Sequence, residues 1–148
     1  MAVDASTGQV DVVDYVVVDD VGRVINPITL HGQVIGAAVQ GLGSVFSEEI
    51  LYDRNGQLLI GSLADYLVPV ATDYPHLHAI SLELYPSPNN PLGAKGAGEG
   101  GIIPVAGVLT NAIASALSSL GVEPHDLPLS PPRLWALIDA AASVQEPG

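Results

Sequence analysis

A chain of 148 residues suffices for one domain with a modest hydrophobic core. Its net charge of −12, from 16 acids against only Arg23, Arg54, Lys95 and Arg133, argues against a nucleic acid or an anionic membrane as partner, because both require a basic surface. The absence of cysteine excludes a disulfide framework, thiolate zinc sites and iron–sulfur clusters held by this chain.

Apolar residues make up 48% and charged ones 14%, with a mean hydropathy of +0.40. Two readings of that greasiness stay open: a compact core, or an apolar surface covered by another subunit. The N-terminus is acidic and polar, unlike a secretory signal. Gly, Pro, Asn or Asp breaks every apolar run well short of about 18 residues, so no membrane span is expected. The expectation is a soluble, cytoplasmic protein.

Met1 to Val3 reads as the stub of a strand, and Asp4 to Gly8 as a hairpin turn. Gly8 to Asp20 is β-branched and apolar, a buried strand by composition. After a turn and short extended piece over Val21 to Pro27, the pair Asn26-Pro27 signals a helix start. Ile28 to Glu49 is predicted helical, with Leu30, Val34, Ala37, Ala38, Leu42, Val45 and Phe46 at helical spacing. Gly32, Gly36, Gly41 and Gly43 each cost a helix up to about 1 kcal/mol relative to Ala. They call for close approach of another backbone or a ligand, with weak packing as the alternative. Gln33 and Gln40, seven apart, share nearly the same face and offer amide donors to a polar ligand, although surface glutamines are common.

Glu48 to Gly61 reads as a β-hairpin around Asp53-Arg54-Asn55-Gly56. Asp65 to Thr72 is ambiguous, and Ala79 to Tyr85 alternates as a half-buried strand. Val105 to Leu120 is a second helix stopped by Gly121, and Ser130-Pro131-Pro132 opens a third over Leu134 to Ala142; Val144 to Gly148 should fray. No internal repeat or linker divides the chain. The expected fold is α+β, with mixed strands packed by two to three helices in one unit over residues 1–148.

The glycine-dense loop Gly93-Ala-Lys-Gly-Ala-Gly-Glu-Gly-Gly101 carries the chemistry. Its glycines admit positive φ and close approach to a ligand, and the helix behind it would present N–H groups and a positive dipole end. Gly96-x-Gly98-x-x-Gly101 matches the dinucleotide pattern literally. A Pro/Asn loop rather than a strand precedes it, however, and Glu99 would repel a pyrophosphate. No phosphate-binding loop follows either. Glu99 is the more informative residue. A carboxylate in an apolar glycine-rich pocket would have its pKa raised toward that of a general base, whereas a helix start would lower it. A Glu that merely stabilises the first turn of a helix is the competing reading. His31, His76, His78 and His125 are scattered, and His76-x-His78 lacks a third ligand, so no metal site of the chain's own is expected.

Three stretches together resemble one family, the molybdopterin-binding large subunits of the xanthine dehydrogenase, aldehyde oxidase and aerobic carbon monoxide dehydrogenase group. They are Tyr15 to Pro27; Gly32 to Gly43 followed by Glu48-Glu49 and Tyr52; and Ser87 to Gly100. The resemblance runs from about Val10 to Ala141 and implies the C-terminal catalytic portion of a molybdenum hydroxylase, which oxidises aldehydes or N-heterocycles with water as oxygen source. It implies that Glu99 is the general base, that Gln33 hydrogen-bonds the molybdopterin cofactor, and that Gly98 and Gly96 bring backbone near it. Lys95 matches a family lysine without an assigned role. Family large subunits are several times longer, so the resemblance also implies a molybdopterin shared with a partner chain. The partners would be the remaining large-subunit portion and separate iron–sulfur and FAD subunits, with no activity for this chain alone. A non-catalytic structural remnant of such a subunit is the alternative.

Overall fold

The computed structural model describes residues 1–74 and 76–145. Strands β1 (Ala2–Val3) and β2 (Val10–Asp11) pair antiparallel. The turn between them closes as expected: the Asp4 carboxylate accepts from the Ser6 N–H at 2.8 Å, and Gly8 adopts a φ of +73°. Gly8 also packs against the start of helix α3 (Pro131–Gln145), where any side chain would meet the Pro131 carbonyl.

The expected single buried strand over Gly8 to Asp20 is corrected in two ways. It is broken between β2 and β3 (Asp14–Asp20), and β3 alternates in burial. Tyr15 and Val17 point into the core, whereas Val16 and Val18 remain 54% and 58% exposed, because this chain covers only one face of the sheet. β3 pairs in parallel with β4 (His76–Leu82), in register from Asp14↔His76 to Asp20↔Leu82. That register places β4 earlier than the predicted Ala79 to Tyr85. The Leu84 and Tyr85 N–H groups turn instead to the Asp20 carboxylate, each at 3.1 Å.

Helix α1 (Pro27–Phe46) starts where Asn26-Pro27 predicted, with the Asn26 side chain accepting from the Ile28 and Thr29 N–H groups at 3.1 Å. It ends short of Glu49 because the Ser47 and Glu48 N–H groups both fold back onto the Gly43 carbonyl. The Asn-Gly turn also forms, with Asp53 Oδ1 accepting from Asn55 and Gln57 N–H groups at 2.8 Å and Gly56 at φ +80°. Its flanks make only the bridge Tyr52↔Leu58 rather than two strands, and Leu51, Tyr52, Leu58 and Leu59 have no layer of this chain to pack on. Helix α2 (Val105–Ala116) passes into a 3-10 turn at Ser118–Leu120 and stops at Gly121, φ +69°. α3 begins at Pro131 and stays helical through Gln145, so the fraying expected from Val144 is corrected for Val144 and Gln145; residues 146–148 lie outside the described residues.

The inner face of β3 and β4 meets α1 and α2 in a core of Tyr15, Val17, Val34, Ala38, Leu42, Val45, Val105 and Leu109. A second core joins the end of α2 to α3 through Ile113, Leu117, Val122, Leu129, Leu134 and Ile138. Met1 and Phe46 touch both clusters, so the two are continuous. The result is the expected α+β architecture of small sheets and three helices.

Candidate functional site at the end of the parallel strands

The site begins where β3 ends. Asp20 lies at the strand's last position, and its carboxylate collects four donors. These are the Gly22 N–H at 2.9 Å, the Leu84 and Tyr85 N–H groups, and Lys95 Nζ at 3.2 Å. The Gly22 N–H, ahead of the Lys95 ammonium, holds this carboxyl below the usual carboxylate range. Gly22, at φ +61°, leaves no space for a side chain because the Gly93 carbonyl lies against it. The Arg23 and Ser87 N–H groups both donate to that carbonyl, at 3.0 and 2.9 Å, and the Lys95 N–H donates to the Val21 carbonyl at 2.9 Å. The front half of the loop, through Lys95, is therefore strapped to the end of β3. Lys95 acts here as a tether. Beside this hub, Asp19 Oδ1 is buried with no hydrogen-bond partner among the described residues.

The back half of the loop behaves differently. A Cβ added at Gly96, Gly98 or Gly100 would meet nothing within 4 Å, and none of the three adopts positive φ. Positive φ belongs to Gly93, at +70°, so the expectation that these glycines serve conformational need is corrected for the rest of the loop. Gly101 is buried for another reason: it rests on α1, where a Cβ would sit 2.9 Å from the Val34 carbonyl oxygen and 3.0 Å from Ala37 Cβ.

That contact relates the two residues singled out by sequence. Gln33 lies one helical turn before Ala37 on the same face, and Glu99 lies two residues before Gly101. Backbone geometry keeps Gln33 and Glu99 within about 20 Å of each other, on the side of the molecule where Gly101 docks. Both are exposed, and neither side chain has a partner among the described residues. The expected apolar pocket around Glu99 is corrected: the described residues build no wall there, and Glu99 is exposed. Its place in the first turn of a helix is corrected too, because α2 starts only at Val105, after a turn in which the Glu99 carbonyl accepts from the Ile102 N–H at 3.1 Å.

The helix glycines divide in the same way. Gly41 and Gly43 face other parts of the chain, the first against Val105 and the second against Glu48 and Pro69. At Gly32 and Gly36 a methyl would enter open space, beside Gln33. The α1 face nearest the loop thus presents bare backbone and the Gln33 amide, with the exposed Gln40 further along nearly the same face, able to lie close against a polar ligand but not to enclose one.

Two cavities lie elsewhere. One of about 450 Å³ sits between Val12, Leu42, Phe46 and Tyr74, and one of about 540 Å³ adjoins Glu123, His125 and Arg133; neither contains Gln33 or Glu99. His78 Nε2 lies 3.2 Å from Asp14 Oδ1 on the exposed face of the sheet. No three His, Asp or Glu side chains among the described residues converge as metal ligands. No described helix is long and apolar enough to cross a membrane.

The roles of Asp20 as a hub and of Gly101 as a contact on α1 were not legible in the sequence. The only local signal for the first was an acid followed by a turn at a strand's end. For the second it was the last glycine of the loop, two residues past Glu99.

The molybdopterin cofactor-binding domain profile matches residues 1–75. Over 133 residues the chain is 41% identical to the 6-hydroxypseudooxynicotine dehydrogenase complex subunit gamma of Paenarthrobacter nicotinovorans, covering 90% of this chain and 17% of that protein. It is similar to crystalline Cu,Mo-CO dehydrogenase, with a TM-score of 0.89 and 30% identity over 95% of this chain and 18% of that one. Quinoline 2-oxidoreductase from Pseudomonas putida 86 gives a TM-score of 0.87 and 38% identity, over 93% and 17% of the two chains. Across the curated relatives compared, the chain spans 15–18% of the relative's length.

Proposed function

Because the chain belongs to the molybdopterin cofactor-binding domain family and corresponds to a stretch of a molybdenum hydroxylase large subunit, we propose that it supplies one wall of that enzyme's active site, with Glu99 as general base. The observation that carries this reading is the seating of Gly101 on Val34 and Ala37, which sets the Glu99 loop beside the Gln33 end of α1.

The donor set suits the role. Gln33 offers two N–H donors and a carbonyl to a polar heterocycle such as the pterin. Gly32 and Gly36 on the helix, and Gly96 and Gly98 on the loop, leave backbone bare on the approach to it. With no ligand cluster for a metal among the described residues, the chain would hold the cofactor through its organic part. When bound, the molybdenum cofactor supplies the two-electron redox chemistry of hydroxylation with water as oxygen source.

The chain's own residues then position and move a proton. The strap through Asp20, Gly93 and Lys95 fixes one end of the loop, and Gly101 fixes the other. Between these anchors Glu99 has no partner among the described residues to occupy its carboxylate oxygens, so either oxygen is free to accept a proton from the attacking group. Walls from the rest of the enzyme would exclude bulk water from that carboxylate. The substrate class that fits is an aldehyde or an N-heterocycle with an electron-poor carbon. The remaining large-subunit portion, an iron–sulfur subunit and an FAD subunit would complete the enzyme. With no cysteine, this chain has no thiolate to hold iron–sulfur clusters.

The test is Glu99→Gln in the assembled enzyme. Molybdenum content and folding should be retained while turnover falls by at least about 10²-fold, the scale of a lost general base. Retained turnover would remove the assigned role, and an assembled complex without molybdenum would favour a structural remnant instead.

A further inference from the structure

From the bare face of the parallel sheet we infer a docking surface, and its occupant is the remaining portion of the large subunit, laid over β3 and β4 as an apolar layer. The inference rests on the large-subunit reading above.

Register and burial define the surface. In β3, Asp14, Val16 and Val18 point away from the helices, and in β4 His76, His78 and Ile80 do the same. The parallel register sets Val16 beside His78 and Val18 beside Ile80. Val16, Val18 and Ile80 are 54%, 58% and 49% exposed, so three branched aliphatic side chains form one patch, rimmed by the His78–Asp14 pair. Parallel sheets occur almost only with both faces covered, and their strands read as continuous β-branched runs. Val16-Val17-Val18 is such a run, yet among the described residues only Val17 of the three is covered. Two parallel strands with one bare apolar face are an inner layer of something larger.

Size and charge choose between occupants. The relatives extend over several times the length of this chain, so a large-subunit remainder has ample surface to provide the missing layer. A second copy would bring a further −12 charge against the same face, where Asp14 already stands at the rim.

The chain contains no cysteine, so Val16→Cys, Val18→Cys and Ile80→Cys each introduce a single thiol whose maleimide adduct can be followed on this chain by mass. In the assembled enzyme, labelling at all three positions should be at least tenfold slower than in the same chain unfolded in urea. Free of its partner chains, the folded chain should label within a few-fold of the unfolded rate. Near-unfolded labelling rates in the assembled enzyme would overturn the inference. So would protection that appears in the free chain and grows with its concentration, which would assign the face to a second copy. If a cysteine variant fails to fold, hydroxyl-radical footprinting of Val18 and Ile80 in the unmodified enzyme reads the same contrast. Reactive thiols in a complex that holds molybdenum and depends on Glu99 would remove the docking surface alone. Protected thiols in a complex without molybdenum would remove the catalytic reading alone.

Discussion

Gly41 marks the crossing of α1 and α2, and replacing it with alanine tests how tightly the two helices approach. The added methyl would lie 2.6 Å from Val105 Cβ and Cγ2 and 2.8 Å from Cγ1, roughly 1 Å inside ordinary carbon–carbon contact. Val105 is fully buried, so its branched side chain has nowhere to move. Helix propensity alone would favour alanine by about 0.8–1 kcal/mol. Overpacking a filled core costs about 1–3 kcal/mol, and three simultaneous clashes against a fixed side chain place this case at the upper end. The net expectation is a destabilisation of about 1–2 kcal/mol, or a fall in Tm of about 2–8 °C for a chain of this size. Gly36→Ala provides the contrast: its methyl meets nothing, so it should gain about 0.5–1 kcal/mol. Urea denaturation followed by circular dichroism reads both, with unchanged slopes if only the folded state is affected. Adding Val105→Ala to Gly41→Ala should remove the clash while leaving its own cavity cost. A Gly41→Ala protein as stable as Gly36→Ala would refute the close crossing.

Asp20→Asn should loosen residues 84–95 and flatten the acid limb of stability. The carboxyl's folded pKa is lowered, so its contribution is present above about pH 4 and lost as pH falls through the folded value. Acid titration by circular dichroism should show the native chain losing stability below that point and the variant showing less change there. Gly101→Ala presses on Val34 and Ala37 and should shift the Glu99 loop away from α1, lowering turnover of the assembled enzyme while molybdenum content is kept. Leu109→Ala opens a cavity at a side chain only 1% exposed and should cost about 2–5 kcal/mol in chemical denaturation.

Much of the local structure was legible because its signals are local. Asn26-Pro27 caps α1 and Gly121 stops the 3-10 turn after α2. Asp4 to Gly8 and the Asn55-Gly56 turn close as their residues require. Errors arose where a boundary depends on a distant partner. β4 takes its position from register with β3 and from Asp20's capture of the Leu84 and Tyr85 N–H groups, and no window of sequence contains both strands. The flanks of the Asn-Gly turn pattern as strands but lack a covering layer within this chain.

For the site, residue chemistry alone set out one acid in a glycine-dense stretch, an amide within a glycine-rich run and no thiol. Those facts follow from side-chain identity and hold in any fold. Tertiary structure decided which glycines matter and why. Gly41, Gly43 and Gly101 are small because other atoms of this chain press on them. Gly32, Gly36, Gly96 and Gly98 face open space, where only something outside the chain can come close. The physical difference is whether a missing Cβ meets a neighbour, and neighbours far apart in sequence exist only once the chain has folded.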